Sequence, residues 1–146
     1  MKIKMEKVID RLLGIPYKHN GRSYRGVDCW GLIYLFFGEL GINLPADDGA
    51  YIPEDWYLKE PGRYIRGLRT LGDEVGHYEQ LQVLDLPYFC LFRNVITHSG
   101  VMIDNENFIH VLRDKEVSID SMRKRYWKRK YAGAIRLRDD LSRKLY

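Results

Sequence analysis

Residues Pro16 to Leu32 read PYKHNGRSYRGVDCWGL, and this stretch decides how the rest of the chain is interpreted. It places one cysteine, Cys29, between a glycine-rich loop and an apolar segment. The apolar segment reads WGLIYLFFGEL and is hydrophobic on almost every side, which predicts a helix buried in the middle of a domain. Cys29 is therefore expected at the N-terminal edge of that helix.

A cysteine at the start of a helix meets unpaired backbone N–H groups and a partial positive charge, which stabilise a thiolate and lower the thiol pKa. Asp28 can cap the helix. Gly21, Gly26 and Gly31 allow tight backbone paths that leave room for a substrate carbonyl. This pattern favours a nucleophilic cysteine. The alternative from the local sequence is that Cys29 is a small buried apolar residue, the usual role of a free cysteine.

A thiol nucleophile needs a base, and two of the four histidines lie in a predicted hairpin. His98 and His110 belong to the segments THSGVMI and FIHVL, which read as short strands joined by the turn DNEN. A two-residue loop, 105–106, would put the two histidines on opposite faces. A three-residue loop, 104–106, would set His110 across from Gly100 and diagonal to His98. A Cys–His–His relay requires the odd-length loop or an equivalent bulge. The alternative is one exposed and one structural histidine.

The run PYKHNGRSYRGVDCWGL resembles the signature of the NlpC/p60 family of cysteine peptidases, in which a proline–tyrosine pair, a glycine loop and an Asp-Cys pair precede a helix. The later run LDLPYFCLFRNVITHSGVMIDNENFIHV resembles the second block of the family, in which a His-Ser/Val-Gly strand, a turn and a second histidine follow one another. The resemblance implies an α+β, papain-like cysteine peptidase fold. In that fold N-terminal helices, with the nucleophile helix among them, pack on an antiparallel β-sheet that carries the histidines.

Carried over onto the matching positions, the resemblance implies three catalytic roles. Cys29 is the nucleophile, His98 is the general base, and His110 is the polar residue that orients His98. The implied chemistry is attack by a thiolate, proton transfer to the leaving amine, and release of the acyl-enzyme by water.

Three further residues are implied to bind the substrate or the oxyanion. Tyr17 matches the family tyrosine near the oxyanion. Asp28 matches the acidic residue that helps to hold the free amine of the substrate peptide in peptidoglycan-cleaving members. Trp30 stands where most of those members have a serine, and the resulting form DCWGL resembles the NlpC-type domains of phage tail-tip proteins.

The resemblance as a whole implies a cysteine endopeptidase that cleaves peptidoglycan stem peptides, at D-glutamyl to diamino-acid bonds, as a phage tail-associated cell-wall hydrolase. Two alternatives stay open: a non-catalytic structural or interaction module of a tail tip, and a related thiol acyltransferase or amidase. The expected partners are peptidoglycan peptides and other phage tail proteins. No cofactor is expected, and neither CxxC nor HExxH occurs to predict a metal site.

Length and composition agree with one ordinary domain over residues 1–146. The chain is 45% apolar and 30% charged, and it contains no apolar run long enough to cross a bilayer, so no membrane partner is expected. Glu6 and Asp10 interrupt the first segment, which predicts an amphipathic helix rather than a signal peptide, and so synthesis in a cytoplasm with the virion tail as a further location. Cys90 is expected in the core, without a disulfide to Cys29.

The basic run RKRYWKRK, residues 123–130, is the main competing functional signal. Its charges and aromatic residues could bind nucleic-acid phosphate and stack on bases. We favour the alternative that Tyr126 and Trp127 dock a helix while the charges face water, so nucleic acid is not an expected partner. The net charge of +4 also suits an acidic polymer such as peptidoglycan.

Hydrophobic periodicity and turn residues predict helices first and an antiparallel sheet afterwards. Helices are predicted over residues 5–13, 30–40, 63–71 and 119–128, the last capped by Ser118. Strands are predicted over residues 88–93, 98–103, 108–112 and 132–137. The segment 41–82 matches no pattern of the family that we use.

Overall fold

A computed structural model describes residues 2–142, and its central element is an apolar helix that begins at Cys29. The helices are α1 (Lys2–Leu12), α2 (Cys29–Glu39), α3 (Trp56–Lys59), α4 (Arg63–Arg69), α5 (Arg125–Lys130) and α6 (Asp139–Ser142). The strands are β1 (Arg22–Ser23), β2 (Gly26–Val27), β3 (Gly72–Val75), β4 (Leu86–Phe92), β5 (Val95–Ser99), β6 (Val101–Met102), β7 (Asn107–His110), β8 (Ser118–Ser121) and β9 (Tyr131–Leu137).

The strands form two antiparallel sheets and one short hairpin. The larger sheet has the strand order β3-β9-β4-β5, and the smaller has the order β6-β7-β8. Strands β1 and β2 make the hairpin of the glycine loop. Helices α1 and α2 share one hydrophobic core with the four-stranded and the three-stranded sheets. The α+β class, with the cysteine helix packed on antiparallel sheet, is therefore confirmed.

Helix α2 is buried because its sequence is apolar on almost every face. Its fully buried side chains are Leu32, Ile33, Phe36 and Phe37. Each such side chain contributes roughly 1.5–3 kcal/mol of hydrophobic stabilisation relative to an exposed one. The carboxylate of Asp28 accepts a hydrogen bond from the N–H of Gly31 at 2.8 Å, so the predicted cap is confirmed. Past the other end of the helix, Gly41 adopts a φ of +85°, the conformation that terminates many helices.

The glycine loop crosses the first turn of α2 at very short range. A methyl group added to Gly31 would lie 1.9 Å from the carbonyl oxygen of Gly21. One added to Gly21 would lie 2.2 Å from the carbonyl oxygen of Gly26. Only glycine fits at these two positions, because the atoms that a methyl group would meet are backbone atoms, which cannot move aside as a flexible side chain can. The contact holds the loop against the start of the helix, beside Cys29.

The two candidate histidines lie in different sheets, because one strand ends and the next begins at Gly100. One continuous strand over 98–103 was predicted, whereas β5 ends at Ser99 and β6 begins at Val101. A methyl group on Gly100 would lie 2.7 Å from the carbonyl oxygen of Ile109. The missing side chain therefore lets β7 approach the break closely.

The register of the β6–β7 hairpin agrees with the three-residue loop. Val101 pairs with Ile109, and Met102 pairs with Phe108. The N–H of Ile103 then donates to the carbonyl of residue 107 at 2.9 Å, which leaves residues 104–106 as the loop. The Asp104 carboxylate closes the loop by accepting the N–H groups of residues 106 and 107, each at 2.7 Å. The odd-length alternative was thus the correct one.

One predicted element after residue 110 was wrong, and one strand before it was missed. The predicted helix over 119–128 is instead strand β8 followed by the short helix α5, and Ser118 pairs with His110 in the sheet rather than capping a helix. Pairing with β7 satisfies the backbone of β8, which overrides the local preference. Within the segment 41–82 the helix predicted over 63–71 is present as α4, but strand β3 was missed. It pairs with β9, although its sequence GDEV is mostly polar.

The remaining expectations concern aromatic residues and cysteines. Trp127 is buried as expected, whereas Tyr126 is about half exposed, with the ammonium of Lys130 5.8 Å from the centre of its ring. Cys29 and Cys90 are both free thiols, and Cys90 is half-buried rather than a full member of the core. Over residues 2–142, no helix has both the length and the apolar character needed to span a bilayer.

Two glycines of the same helix should respond oppositely to alanine. Gly31→Ala forces the glycine loop away from α2 and should lower the free energy of unfolding by about 2 kcal/mol or more. Gly38→Ala is the matched control, since a methyl group there meets nothing within 4 Å. Alanine is the better helix former, so Gly38→Ala should raise the free energy of unfolding by about 0.5–1 kcal/mol. Urea unfolding followed by circular dichroism measures both, and equal effects would contradict the close contact at Gly31.

Candidate active site

The Cys29 thiol lies where two cavities join. One cavity, of about 410 Å³, lies between the glycine loop, α2, α4 and the segment 45–56. The other, of about 340 Å³, lies against β4, β5 and residues 111–113. The residues that line both cavities are Tyr17, His19, Cys29, Trp56 and Thr97. The sulfur is nearly buried, and its Sγ lies 3.7 Å from the carbonyl oxygen of Thr97.

His98 lines the second cavity together with Cys29. It lies on β5, opposite Phe89 of β4. Its ring is buried between Phe89 and Trp127, and it stacks on Trp127 with the ring centres 5.6 Å apart. These contacts hold the imidazole plane in one orientation.

His110 completes the cluster that the sequence predicted. Nε2 of His98 lies 2.9 Å from Nδ1 of His110, within a buried hydrogen bond. Because Nε2 of His98 is used in this way, Nδ1 is the ring nitrogen that remains available to the thiol of Cys29. The structure therefore brings the three predicted catalytic residues together from α2, β5 and β7.

Asp120 is a charged neighbour of this cluster that the sequence analysis missed. His110 pairs with Ser118 in the sheet, so Asp120 lies two residues further along β8 on the same face. Its Oδ2 lies 3.8 Å from Nε2 of His110. Its Oδ1 lies 2.8 Å from the ammonium of Lys124. Recognising β8 as a strand is the signal that would have identified Asp120.

Burial raises the pKa of the Cys29 thiol to about 11, and the negative charge of Asp28 adds to the rise. Hydrogen bonds from the Tyr64 hydroxyl and from the backbone near Ser99 offset only part of this. The expectation of a lowered thiol pKa at the helix N-terminus was therefore wrong for the resting protein. The loss of hydration destabilises the thiolate more than the partial positive charge of the helix N-terminus stabilises it.

Both histidines are neutral at neutral pH. Burial lowers the pKa of His98 well below its usual value of 6.5, and the charge of His110 adds to this. Burial also lowers the pKa of His110 to about 4, although the negative charge of Asp120 opposes the effect. The resting cluster is thus a neutral thiol beside a neutral base. At neutral pH, a thiolate forms when the thiol proton is transferred to the imidazole.

Tyr17 is placed to donate a hydrogen bond near the sulfur. It lines both cavities beside Cys29, and its backbone N–H is held by the carbonyl of Lys115 at 2.8 Å. Burial raises the pKa of Tyr17 to about 12, and the charge of Cys29 adds to this. The hydroxyl therefore stays protonated and can stabilise an oxyanion.

The Asp28 carboxylate is already hydrogen-bonded by its own chain. The N–H of Gly31 and the guanidinium of Arg22 donate to Oδ1 at 2.8 and 2.7 Å. The N–H of Asn20 donates to Oδ2 at 2.9 Å. Asp28 thus caps α2 and fastens the glycine loop to it, and a substrate amine would compete with these three donors.

Trp30 forms part of the wall of the first cavity. Its indole N–H donates to the carbonyl of Pro45 at 2.7 Å, and its ring meets Tyr64 edge-on. Pro45 begins a segment, residues 45–52, that we call the strap. The Nε2 of His19 lies 2.8 Å from the carbonyl of Ile52 at its other end. The strap lies in the part of the chain that sequence patterns left uninterpreted, and it encloses the first cavity.

Tyr64 is a second site residue that the sequence analysis missed. Its hydroxyl lies 2.5 Å from Oγ of Ser99 and hydrogen-bonds the Cys29 side chain. Burial raises the pKa of Tyr64 well above its usual value of 10, and the charge of Cys29 adds to this, so the hydroxyl remains a donor. No local pattern marks Tyr64, because it reaches the sulfur only when α4 packs beside α2 in the folded chain.

The described residues offer acyl-transfer chemistry to a substrate. The two cavities that join at Cys29 together form a groove. A thiol, an imidazole base and protonated tyrosine hydroxyls converge on it, and these are the groups required for attack on a carbonyl carbon and stabilisation of the resulting oxyanion. Over residues 2–142, no cluster of three or more His, Cys, Asp or Glu side chains is arranged to hold a metal ion.

Comparison with known sequences gives a family match and several relatives. A family model described as NlpC/P60 family matches residues 14–136. Murein DD-endopeptidase MepH of Escherichia coli (strain K12) is 31% identical over 139 residues, which are 93% of this chain and 45% of the relative. The probable peptidoglycan endopeptidase LytE of Bacillus subtilis (strain 168) is 28% identical over 127 residues, which are 86% of this chain and 31% of the relative. The chain thus spans less than half the length of these two relatives.

Solved structures agree with the fold. An NlpC/P60 family protein from Bacillus cereus ATCC 10987 superposes with a TM-score of 0.69 and 26% identity, covering 94% of this chain and 40% of that one. The NlpC/p60 domain of the peptidoglycan hydrolase SagA superposes with a TM-score of 0.63 and 14% identity, covering 94% of this chain and 99% of that domain. The papain-like arrangement expected from the sequence is therefore confirmed.

The raised thiol pKa predicts how Cys29 reacts with iodoacetamide. Below its pKa the thiolate fraction grows roughly tenfold for each pH unit. In a Cys90→Ser background, the alkylation rate of Cys29 should be low at neutral pH and should keep rising toward pH of about 11. Mass spectrometry of the alkylated protein measures the rate. A plateau near pH of about 8.5, the value of an unperturbed cysteine, would contradict the effect of burial.

Removal of the Tyr64 hydroxyl should slow the same reaction. That hydroxyl lowers the thiol pKa, so Tyr64→Phe should raise it further. A hydrogen bond to a charged acceptor contributes about 1.5 kcal/mol, so the alkylation rate at fixed pH should fall roughly tenfold. Tyr24→Phe is the control, since that hydroxyl bonds Glu39 instead. Equal rates in both variants would show that Tyr64 does not act on the sulfur.

Proposed function

This chain belongs to the NlpC/P60 family, and we propose that it is a cysteine endopeptidase that cleaves peptide bonds of peptidoglycan. The observation that carries this proposal is the cluster of Cys29, His98 and His110 at the join of two cavities, with the two imidazoles 2.9 Å apart. The relatives named murein DD-endopeptidase and probable peptidoglycan endopeptidase support the same substrate.

In this reaction Cys29 is the nucleophile, His98 is the general base and His110 orients His98. The thiol proton moves to Nδ1 of His98 while the sulfur bonds the scissile carbonyl carbon, and the carbonyl electrons move to the oxygen. The Tyr17 hydroxyl donates to this oxyanion. Collapse breaks the C–N bond, and the leaving amine takes the proton from His98. Water, deprotonated by the same imidazole, then cleaves the thioester and restores the thiol.

The groove is suited to a peptide that continues on both sides of the cleaved bond. The two cavities meet at Cys29, so the carbonyl at the sulfur can have substrate residues in each of them. Asp28 and Trp30 bind substrate as parts of the wall of the first cavity. The bond implied by the sequence resemblance joins D-glutamate to a diamino acid, whereas the E. coli relative is named a DD-endopeptidase, so both bonds belong in the test.

Residues 1–146 act as one catalytic domain in this proposal. The run DCWGL supports a more specific setting, a cell-wall hydrolase carried in a phage tail, with other tail proteins as partners. In that setting the protein is made in the cytoplasm of the host and reaches peptidoglycan with the virion. The Trp30 indole, held by Pro45, is the residue of this run that differs from the serine of most peptidoglycan-cleaving members.

Purified muropeptides test the proposed function. Uncrosslinked stem peptides and crosslinked dimers are incubated with the protein, with Cys29→Ala and with Cys90→Ala, and new free amines are located by mass spectrometry. The parent and Cys90→Ala should cleave at equal rates. Cys29→Ala should lose essentially all activity, because no other thiol lines the groove among the described residues.

The outcomes separate the candidate roles. Equal cleavage by the parent and Cys29→Ala would remove Cys29 as the nucleophile. Absence of cleavage by either protein would favour a structural module of the same fold. The position of the new amine identifies the bond, and transfer of the acyl group to an added amine instead of water would identify an acyltransferase.

A further inference from the structure

We propose that Asp120 is a positioning residue which, through His110, sets the tautomer of the general base His98. This role rests on the proposed function, because the nitrogen concerned is the one that accepts the thiol proton. Asp120 itself touches neither the sulfur nor the groove: it is absent from the lining of both cavities.

Strand β8 places the Asp120 carboxylate at the outer end of the histidine pair. Its Oδ2 lies 3.8 Å from Nε2 of His110, on the side of the ring opposite to His98. This distance is longer than a direct hydrogen bond, so the carboxylate acts on the ring mainly through its charge. Trp127 covers both rings, with its centre 5.1 Å from that of His110 and 5.6 Å from that of His98.

An ionised carboxylate can only accept hydrogen bonds, and its negative charge favours a hydrogen on the nearest ring nitrogen, Nε2 of His110. A neutral imidazole carries one N–H, which leaves Nδ1 of His110 bare. That bare nitrogen accepts the hydrogen bond of 2.9 Å, so the hydrogen of His98 lies on its Nε2. Nδ1 of His98 is then bare in turn and can take the proton from the thiol.

Without the carboxylate, the alternative in which both rings carry hydrogen on Nδ1 is no longer disfavoured. His110 could carry its hydrogen on Nδ1 and donate it to Nε2 of His98. His98 would then present an N–H to the sulfur and could not accept the thiol proton. The same loss of a catalytic tautomer follows when the orienting carboxylate of a serine protease triad is replaced by an amide.

Charged groups around His110 agree with this role. His98 faces it from β5 and Asp120 faces it from β8. Lys124 lies just before α5, and the Trp127 ring of α5 meets His110 edge-on. Burial opposes ionisation of Asp120, yet hydrogen bonds from Lys124 and from the N–H of Ser121 hold its pKa below the usual range. The carboxylate therefore stays charged at neutral pH.

Two variants separate the carboxylate from its ion pair. Asp120→Asn removes the charge that faces His110, while Lys124→Gln breaks the same Lys–Asp pair but keeps the carboxylate. The tautomers are read at neutral pH from long-range ¹H–¹⁵N spectra of protein labelled at histidine. In the parent and in Lys124→Gln, both buried rings should carry hydrogen on Nε2. In Asp120→Asn, the Nδ1–H form should appear.

Turnover of muropeptides gives the second readout. For Asp120→Asn, kcat/KM should fall on the order of tenfold. The acidic limb of its kcat/KM–pH profile should move to lower pH, because the carboxylate that raises the pKa of His110 is gone. For Lys124→Gln the limb should move to higher pH, because the cation that lowers this pKa is gone. A merely structural role would lower the rate without opposite shifts.

The proposal is overturned if Asp120→Asn keeps both Nε2–H tautomers, or if its pH profile is parallel to that of the parent. If no protein cleaves muropeptides, the proposed function fails, but the tautomer spectra still decide the role of Asp120. Thermal unfolding checks that each variant is folded. Should Asp120→Asn be unfolded, Asp120→Ser, which is smaller and equally uncharged, is measured in its place.

Discussion

The burial of helix α2 is the constraint on which the rest of the candidate site depends. Its apolar side chains fill the core between α1 and the sheets, so its first turn cannot move to solvent. Gly31 and Gly21 hold the glycine loop against that turn, and the Asp28 carboxylate joins loop and helix. The same burial removes the Cys29 sulfur from water and raises its pKa. The position that fixes the nucleophile therefore also keeps it protonated in the resting protein.

Reactivity in this site consequently depends on geometry more than on charge at rest. The buried histidines are neutral, so they can accept a proton but do not hold the thiol as a thiolate beforehand. Their hydrogen bond exists because the chain leaves one sheet and enters another at Gly100, where the lack of a side chain admits β7. Trp127 then fixes both ring planes from α5. The basic run 123–130 thus contributes its one buried residue, Trp127, to the packing around the two histidines.

The other half of the groove depends on the strap, which follows α2 in the chain and folds back over the cysteine. Trp30 and the loop residue His19 hold its two ends by hydrogen bonds to backbone carbonyls. Arg63 of α4 holds its middle through two hydrogen bonds to the Asp48 carboxylate, at 2.8 and 2.7 Å. The strap has no regular secondary structure of its own, so polar side chains of the glycine loop, α2 and α4 hold it in place at the first cavity.

The sequence by itself determined the parts that local pattern controls. The apolar run predicted α2, Asp28 predicted its cap, and the two family-like blocks predicted the fold and the three residues of the cluster. Strand parity reduced the histidine pair to two alternatives, but the choice between them required the register of the folded hairpin.

Only the tertiary structure decided the rest, because it depends on contacts between segments that are distant in the chain. The thiol pKa follows from burial, which a sequence does not display. Asp120 and Tyr64 act near the cluster only because β8 pairs with β7 and α4 packs beside α2. Local preference favoured a helix where β8 lies, and backbone hydrogen bonds to a partner strand outweighed that preference.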